Sequence, residues 1–282
     1  MTYEEFWRPL TQIYEHNEAK AVAQLVYEQR FHLSLADVLC GQTGDEAELH
    51  HIQQRLLQGE PVQYVLGVAE FGPFLFHVAP GVLIPRPETY ELCQWIITGS
   101  TRVREYGGTR ILDIGTGSGC IACTLAAELP KAEVTAWDIS EEALRIAQGN
   151  AKRTNVNVSF EQADILNVSR TSNLEPRTSK AWDIIVSNPP YICEKERTTM
   201  EQNVLKHEPD IALFVPDNDP LLFYRAIAEY GQQSLKPGGW LYFEINPLYA
   251  KDLKELLRMM AYYAIEIKED QYGKQRMLRA QR

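Results

Sequence analysis

The stretch Ile111-Leu-Asp-Ile-Gly-Thr-Gly-Ser-Gly119 decides the fold expected for this chain of 282 residues. An apolar strand pattern over residues 110–114 runs through three glycines into a helix that we predict over residues 120–128. A glycine-rich loop at the start of a helix lets a ligand approach the backbone without meeting Cβ atoms. The pattern is typical of a nucleotide-like cofactor site in a Rossmann-like α/β domain.

The spacing of these glycines distinguishes between cofactors. The dinucleotide fingerprint is G-x-G-x-x-G, whereas here the glycines stand at 115, 117 and 119 and an acid, Asp113, precedes the loop. Both departures favour S-adenosyl-L-methionine over NAD. The residues predicted to face the amino acid end of that cofactor are Asp113, Gly115, Thr116, Gly117, Ser118 and Gly119.

Two further acids follow predicted strands. Asp138 ends the second strand, 23 residues beyond Gly115, where a carboxylate can accept hydrogen bonds from both ribose hydroxyls. Asp164 follows the third strand, so it can accept a hydrogen bond from the adenine amino group while Ile165 packs on the ring. Each acid also has a simpler interpretation, Asp138 as a helix cap and Asp164 as an ordinary loop residue.

Strands and helices alternate from residue 110 onwards. We predict strands over residues 110–114, 134–138, 156–160, 182–187, 240–245 and 263–268, and helices over 120–128, 141–153, 220–235 and 247–260, with a turn at 236–239. Such alternation predicts a parallel, doubly wound sheet. The last apolar residues, Met277 and Leu278, are expected to add an edge strand.

The first 64 residues are predicted to form a small helical domain with segments that begin near residues 2, 17, 34 and 45. Thr2 and Glu5 make a capping box, and the first helix is expected to carry Ile13 on its apolar face. Ala21 is assigned to the apolar face of the second helix. Gly59 stands where the fourth helix would end in a left-handed cap.

Charge and local residue composition indicate the rest of the domain organisation. The first 60 residues hold ten acidic and four basic side chains, so domain 1–64 is expected to bind a protein substrate through an acidic face. A merely solvated face that caps the larger domain is the alternative. Residues 65–84 are predicted to form a β-hairpin linker around Gly72-Pro73, and residues 85–282 the cofactor-binding domain.

The stretch Trp182-Asp-Ile-Ile-Val-Ser-Asn-Pro-Pro-Tyr191 indicates the acceptor chemistry. A buried strand leads into Asn188, and Pro189-Pro190 then hold the backbone rigid. The nitrogen of an amide or exocyclic amine is a poor nucleophile because its lone pair is delocalised, so an enzyme must hold its hydrogens on acceptors. The Asn188 side-chain oxygen and the Pro189 carbonyl are two such acceptors, and Tyr191 offers an aromatic face.

With both motifs in place, the chain resembles the bacterial release factor glutamine N5-methyltransferases, the PrmC/HemK family. The resemblance covers nearly the whole chain, and its most specific motif is Leu83-Ile-Pro-Arg-Pro-Glu-Thr89, whose prolines hold the backbone extended. Other matching segments are 59–64, 208–209 and 223–224, with Gly67 and Phe71. Tyr90 and Asn246 depart from the family pattern, which puts local packing in doubt more than activity.

The resemblance implies a seven-stranded class I methyltransferase domain that uses S-adenosyl-L-methionine and releases S-adenosyl-L-homocysteine. The implied acceptor is the glutamine side-chain amide in the Gly-Gly-Gln motif of class-1 peptide chain release factors. The same resemblance places Arg86, Pro87 and Thr89 near the cofactor. It also implies that Asn188 and Pro189 hold the amide while Pro190 and Tyr191 shape its slot.

Two alternatives remain at this point. The same tetrapeptide can serve an N-methyltransferase that acts on an exocyclic base amine of RNA or DNA, although a net charge of −10 disfavours a nucleic-acid substrate. A regulator that binds the cofactor without catalysis is the other, and the intact acceptor motif argues against it.

Composition indicates the state of the cysteines and the cellular compartment. Five scattered cysteines suit reduced thiols, and no metal site is expected from the histidine and cysteine spacing. No apolar run approaches the roughly 20 residues of a membrane span, and the start MTYEEFWRPL is too acidic for a secretory segment. We therefore expect a cytoplasmic protein that does not contact membranes, and a monomer.

Overall fold

The computed structural model describes residues 1–99, 108–168 and 181–282. Packing divides the chain into two compact units, and each is described by itself. The smaller unit comprises Met1–Val68, Val78–Pro80 and Met200–Glu208. The larger unit comprises Ala69–His77, Gly81–Thr199 and Pro209–Arg282.

The smaller unit is helical, as its apolar periodicity predicts. Its elements are α1 (Tyr3–Leu10), α2 (His16–Phe31), α3 (Leu35–Leu39), α4 (Glu46–Leu57), α5 (Val62–Leu66) and, from the later segment, α10 (Gln202–His207). The capping box of α1 is present, since the Glu5 amide donates to Thr2 Oγ1 at 3.3 Å and the Thr2 amide donates to Glu5 Oε2 at 2.7 Å. Gly59 has the left-handed φ of 81° expected after α4.

Two apolar assignments in this unit are wrong. Helix α1 ends at Leu10, just after Pro9, so Ile13 lies beyond the helix and is 48% exposed. In α2 the buried residues include Ala19, Val22 and Ala23, whereas Ala21 is exposed. The pattern extended α1 past its end at Leu10, and in α2 it was compatible with more than one helical phase, from which packing selected another.

The larger unit is a three-layer α/β structure. Its remaining helices are α6 (Pro87–Gly99), α7 (Cys120–Glu128), α8 (Glu141–Arg153), α9 (Ile165–Val168), α11 (Asp210–Leu213), α12 (Leu222–Ser234) and α13 (Ala250–Met259). A hairpin of β1 (Val68–Phe71) and β2 (Phe74–His77) precedes them in the chain. The main strands are β3 (Arg110–Ile114), β4 (Glu133–Asp138), β5 (Val158–Gln162), β6 (Trp182–Ser187), β9 (Leu235–Glu244), β10 (Tyr263–Glu269) and β11 (Gln275–Gln281).

These seven strands form one twisted sheet in the order β10-β11-β9-β6-β3-β4-β5. The strands β3, β4, β5, β6 and β9 are parallel, and β11 runs antiparallel to both β9 and β10. Successive residues of β3 face opposite sides, so Ile111 packs with α6 and α7 while Leu112 packs with α12 and α13. After β5 the order of the strands reverses, since β6 pairs with β3 on the side opposite β4. Doubly wound folds bind ligands at such a switch point.

Several elements differ from their prediction. Strand β11, which contains Met277 and Leu278, lies between β10 and β9 and is not an edge strand. Residues 236–239 fall inside β9, where the pairing with β6 jumps from Trp182–Leu235 to Ile184–Trp240 and leaves them bulged. The pattern also missed α5 and α6, and a two-stranded pair of β7 (Ile192–Cys193) with β8 (Phe214–Val215).

The cysteines are free thiols in the structure, and four of them are buried. Burial raises the pKa of Cys120 and of Cys123 to about 12, so this C-x-x-C pair on α7 consists of protonated, unreactive groups. Among the described residues, no helix is both long and apolar enough to cross a membrane.

Candidate active site

The glycine loop between β3 and α7 opens onto a cavity. Gly115 and Gly117 have φ values of 74° and 55°, and a Cβ atom added to either would meet no atom within 4 Å. Gly119 is different, since a Cβ atom there would lie 2.9 Å from Ala147 Cβ. The first two glycines therefore leave room for a ligand, and Gly119 allows α7 to pack closely against α8.

Asp113 lies beneath this loop and is fully buried. Its Oδ2 accepts a hydrogen bond of 2.6 Å from Thr116 Oγ1, and its Oδ1 has no well-aligned donor among the described residues. Burial raises the pKa of Asp113 to about 7, and the Thr116 hydrogen bond opposes that rise. A cation at the loop would restore the charge of this carboxylate.

Asp138 stands at the end of β4, across the loop from Gly115. Its Oδ2 accepts the Gly117 amide at 2.8 Å and its Oδ1 accepts the Ser140 amide at 2.9 Å. Burial raises the pKa of Asp138 and these backbone amides oppose the shift. Each carboxylate oxygen has a second lone pair, so both can accept further hydrogen bonds from a vicinal diol. The Ser140 hydroxyl accepts the Ala143 amide as the N-cap of α8.

Asp164 is held more tightly by its own segment. Its Oδ1 accepts the Leu166 amide at 2.9 Å and its Oδ2 accepts the Asn167 side-chain nitrogen at 2.7 Å. The alternative interpretation of Asp164 as a local capping residue therefore has a structural basis. Asp164 nonetheless lines the cavity, beside the buried Ile165.

The cavity has a volume of about 340 Å³, within the usual range of roughly 300–1,000 Å³ for small-molecule sites. Most of the predicted site residues line it: Arg86, Gly115, Thr116, Gly117, Ser118, Asp138, Asp164, Ile165, Asn188, Pro189 and Pro190. Asp113 lies below the loop, Gly119 is at the helix interface, and Tyr191 lies outside the lining. The structure thus gathers residues that are up to about a hundred positions apart in sequence at one end of the sheet.

The acceptor motif follows β6 directly. Ser187, the last residue of β6, is buried and its hydroxyl donates to the Ile114 carbonyl at 2.6 Å, which ties the motif to the strand that carries the glycine loop. Asn188 Nδ2 donates to Thr89 Oγ1 at 3.3 Å. This bond uses the nitrogen end of the Asn188 amide, so Oδ1 is the end available to a substrate N–H.

Tyr191, the last residue of the acceptor motif, makes hydrogen bonds through its hydroxyl and its backbone carbonyl. Its hydroxyl donates to Glu244 Oε1 at 3.0 Å, and its carbonyl accepts Asn246 Nδ2 at 3.1 Å. Asn246, one of the two departures noted above, also accepts the Leu248 amide through Oδ1 and caps the turn Pro247–Tyr249. Asn246 therefore secures the backbone of the acceptor motif.

Sequence reasoning missed two positioning side chains. Glu244, at the end of β9, is a carboxylate directly after the apolar run 240–243, which was the available signal. Asn150 on α8 is fully buried, and its Nδ2 donates to the carbonyls of His77 and Ser118 at 2.9 and 2.8 Å. Asn150 thereby fixes the backbone of the glycine loop to β2.

The residues present fit S-adenosyl-L-methionine. The open glycine loop leaves space beside a buried carboxylate that a cationic amino group would satisfy, Asp138 can accept from two hydroxyls, and Ile165 provides an apolar wall. Fold and site together define a Rossmann-like class I methyltransferase.

Comparisons with known proteins agree with this class. Residues 106–244 match the family model described as a methyltransferase domain. A methyltransferase of Pyrococcus furiosus has a similar solved structure with a TM-score of 0.52; it is 20% identical, and the match covers 82% of this chain and 98% of that one. At that identity the likeness concerns the fold alone.

Two curated relatives are more informative. The release factor glutamine methyltransferase of Bacteroides thetaiotaomicron is 46% identical over 278 residues, which cover 97% of this chain and 96% of the relative. The enzyme of the same name from Flavobacterium psychrophilum is 39% identical over 283 residues, with 98% and 96% coverage. The chain belongs to the release factor glutamine methyltransferase family.

Proposed function

We propose that this enzyme transfers a methyl group from S-adenosyl-L-methionine to the side-chain amide nitrogen of the glutamine in the Gly-Gly-Gln motif of class-1 release factors. The observation that carries the proposal is that Asn188 lines the cavity while its side-chain nitrogen donates to Thr89, so that its oxygen is the end available to a substrate N–H. Family membership identifies the acceptor protein.

The chain's own residues hold the acceptor. Asn188 Oδ1 and the Pro189 carbonyl accept the two N–H groups of the glutamine amide and so hold its nitrogen in line with the methyl group. Pro189 and Pro190 lack backbone N–H groups and fix φ, so these acceptors sit on a rigid segment. Positive charge builds on the nitrogen during transfer, so these hydrogen bonds are stronger in the transition state than in the ground state.

The cofactor site is distinct from the acceptor site in its chemistry. When bound, S-adenosyl-L-methionine supplies an electrophilic methyl group on a sulfonium. The glycine loop, with Asp113 beneath it, would hold its amino acid end, Asp138 would hold its ribose and Asp164 with Ile165 its adenine. Arg86 lines the same cavity. Transfer would form one N–C bond as the S–CH₃ bond of the sulfonium breaks, so that S-adenosyl-L-homocysteine leaves and one N–H proton passes to solvent.

The substrate also suggests the cellular compartment. Release factors act in translation, so we place the enzyme in the cytoplasm. We also propose that the enzyme acts as a monomer. The net charge of −10 supports a protein acceptor over RNA or DNA.

The decisive experiment is methyl transfer to purified release factor, followed by mass spectrometry of the Gly-Gly-Gln peptide. We expect a gain of one methyl group on the glutamine. A release factor with that glutamine replaced by alanine is the matched control and should stay unmodified. Methylation of bulk RNA in parallel, with no modification of the release factor, would overturn the proposal in favour of the base-amine alternative.

A further inference from the structure

A buried hydrogen-bonded chain links Asn188 to Tyr191 through two side chains that are distant in sequence. Asn188 Nδ2 donates to Thr89 Oγ1 at 3.3 Å, and the Thr89 hydroxyl donates to Glu244 Oε2 at 2.5 Å. Glu244 Oε1 accepts the Tyr191 hydroxyl at 3.0 Å. Thr89 and Glu244 in the middle of this chain are both 2% exposed, whereas Asn188 and Tyr191 at its ends are half-buried.

The charge of Glu244 determines the direction of every bond in this chain. An ionised carboxylate only accepts, so the hydroxyls of Thr89 and Tyr191 must both donate to it. A hydroxyl has a single proton, and the Thr89 hydroxyl donates its proton to Glu244. The Thr89 oxygen can therefore only accept from Asn188.

This directionality matters because the two ends of an asparagine amide have nearly the same shape. Hydrogen-bond partners, not packing, decide which end points where. If Thr89 could donate to Asn188, the side chain could turn over and present its NH₂ group to the substrate. An NH₂ group facing the two N–H groups of a glutamine amide would repel them.

We infer that Glu244 is a positioning residue that orients the Asn188 amide, through Thr89, so that its oxygen faces the acceptor nitrogen. The inference rests on the proposed function and deepens it. It gives a role to a side chain that contacts neither substrate nor cofactor.

The placement of Glu244 suits such a role. It belongs to β9, a central strand, where it pairs with Met277 of β11, and its backbone carbonyl accepts the Tyr224 hydroxyl at 3.0 Å. A fully buried carboxylate is costly, and an apolar side chain would fill the strand at lower cost. Its fixed backbone and two hydroxyl donors explain how it is held in one geometry.

Titration of Glu244 provides a specific signature. Burial raises the pKa of Glu244, while the hydrogen bonds from Thr89 and Tyr191 and the charge of Arg276 oppose the rise. Protonated Glu244 would be a donor, which would release the constraint on Thr89. The titratable or charged groups that face the Glu244–Tyr191 pair from the surrounding elements are Arg86, Glu88, Cys93, Tyr224 and Arg276.

The test compares Glu244→Gln with the wild-type enzyme at saturating cofactor and saturating release factor. The glutamine amide can donate through its nitrogen, so Asn188 is no longer fixed and kcat should fall by about 10- to 100-fold. Cofactor affinity, measured by calorimetry, should stay within about twofold because Glu244 does not line the cavity. The decline of wild-type kcat toward acid pH should disappear in the variant.

Thr89 gives a second, independent pair of variants. Thr89→Val keeps the shape but removes the hydroxyl and should lower kcat to a similar extent, whereas Thr89→Ser keeps the hydroxyl and should retain most activity. Thr124→Val is the control for the substitution itself, since Thr124 is also buried but, unlike Thr89, does not line the cavity, and its hydroxyl has no hydrogen-bond partner among the described residues. It should leave kcat unchanged.

The possible results distinguish a failure of this inference from a failure of the proposed function. If the wild-type enzyme methylates the release factor while Glu244→Gln and Thr89→Val keep kcat within about threefold, this inference alone is overturned. If both variants also lose cofactor binding in parallel with kcat, the role is structural and the inference is again overturned. A wild-type enzyme that leaves the release factor unmethylated would instead overturn the proposed function, and this inference with it.

Discussion

The cofactor half and the acceptor half of the site are built in different ways. The centre of the cofactor half is one continuous strand, loop and helix, with Asp113 bonded to Thr116 three residues away, and Asp138 and Asp164 join it from the ends of neighbouring strands. The acceptor half depends on Thr89, Asn188 and Glu244, and the Thr89–Glu244 hydrogen bond joins residues 155 positions apart. A local motif positions the donor, whereas the acceptor is positioned by a network that exists only in the folded sheet.

Among the substitutions that test this division, one at Asn188 is expected to lower activity most. Asn188→Ala removes the acceptor for the substrate amide and should lower kcat by about 10³-fold, comparable to the loss of one donor from an oxyanion hole. Cofactor affinity should stay within a few-fold because the glycine loop is intact. Steady-state kinetics with calorimetric titration of the cofactor measure both, and unchanged turnover would refute the role of Asn188.

A substitution in the cofactor half should have the opposite effect, lowering cofactor affinity more than kcat. Asp138→Ala removes the predicted ribose acceptor and should weaken cofactor binding by roughly 100-fold, since hydrogen bonds to a charged group contribute about 1.5–3 kcal/mol. Calorimetry with S-adenosyl-L-homocysteine provides the readout. At saturating cofactor, kcat should be much less affected than in Asn188→Ala. A large fall in kcat with normal affinity would break the division between the halves.

Asp113 links the cofactor half to stability. A carboxyl whose pKa rises to about 7 on folding binds its proton more tightly in the native state, so its stabilising contribution is complete below the unfolded pKa near 4 and is lost as pH rises through 7. Between pH 5 and 7 the free energy of unfolding should therefore fall by about 2 kcal/mol from this group. Asp113→Asn should abolish that component in urea titrations. An identical pH dependence in both proteins would contradict the assignment.

The smallest effect separates two glycines of one loop. Gly117→Ala must adopt a positive φ but has open space, whereas Gly119→Ala would in addition place a Cβ atom 2.9 Å from Ala147 Cβ. Gly119→Ala should therefore lose about 1 kcal/mol more stability than Gly117→Ala, at the low end of overpacking costs. Thermal unfolding without cofactor measures this difference. Equal stabilities would mean that α7 and α8 can separate without cost.

Much of the parallel sheet was predictable because its signals are local. Residues Arg110–Ile114, Trp182–Ser187 and Glu141–Arg153 were predicted with the bounds that the structure shows. Strand β11 was misplaced because an apolar pattern reports burial and not the order of strands. Ile13 was misassigned because α1 ends at Leu10, and Ala21 because the apolar pattern of α2 allows several helical phases. The site residues were gathered by topology, since parallel strands bring their carboxyl ends to one edge.

The sequence alone predicted the class of cofactor and the kind of nitrogen attacked, because each prediction depends on a short segment whose backbone geometry is local. It indicated the family through a resemblance over nearly the whole chain. Only the tertiary structure decided which end of the Asn188 amide is free, what Tyr191 binds and why Glu244 is there. These features depend on the direction of hydrogen bonds between residues far apart in the chain. A sequence records the donors and acceptors, whereas folding determines which of them meet.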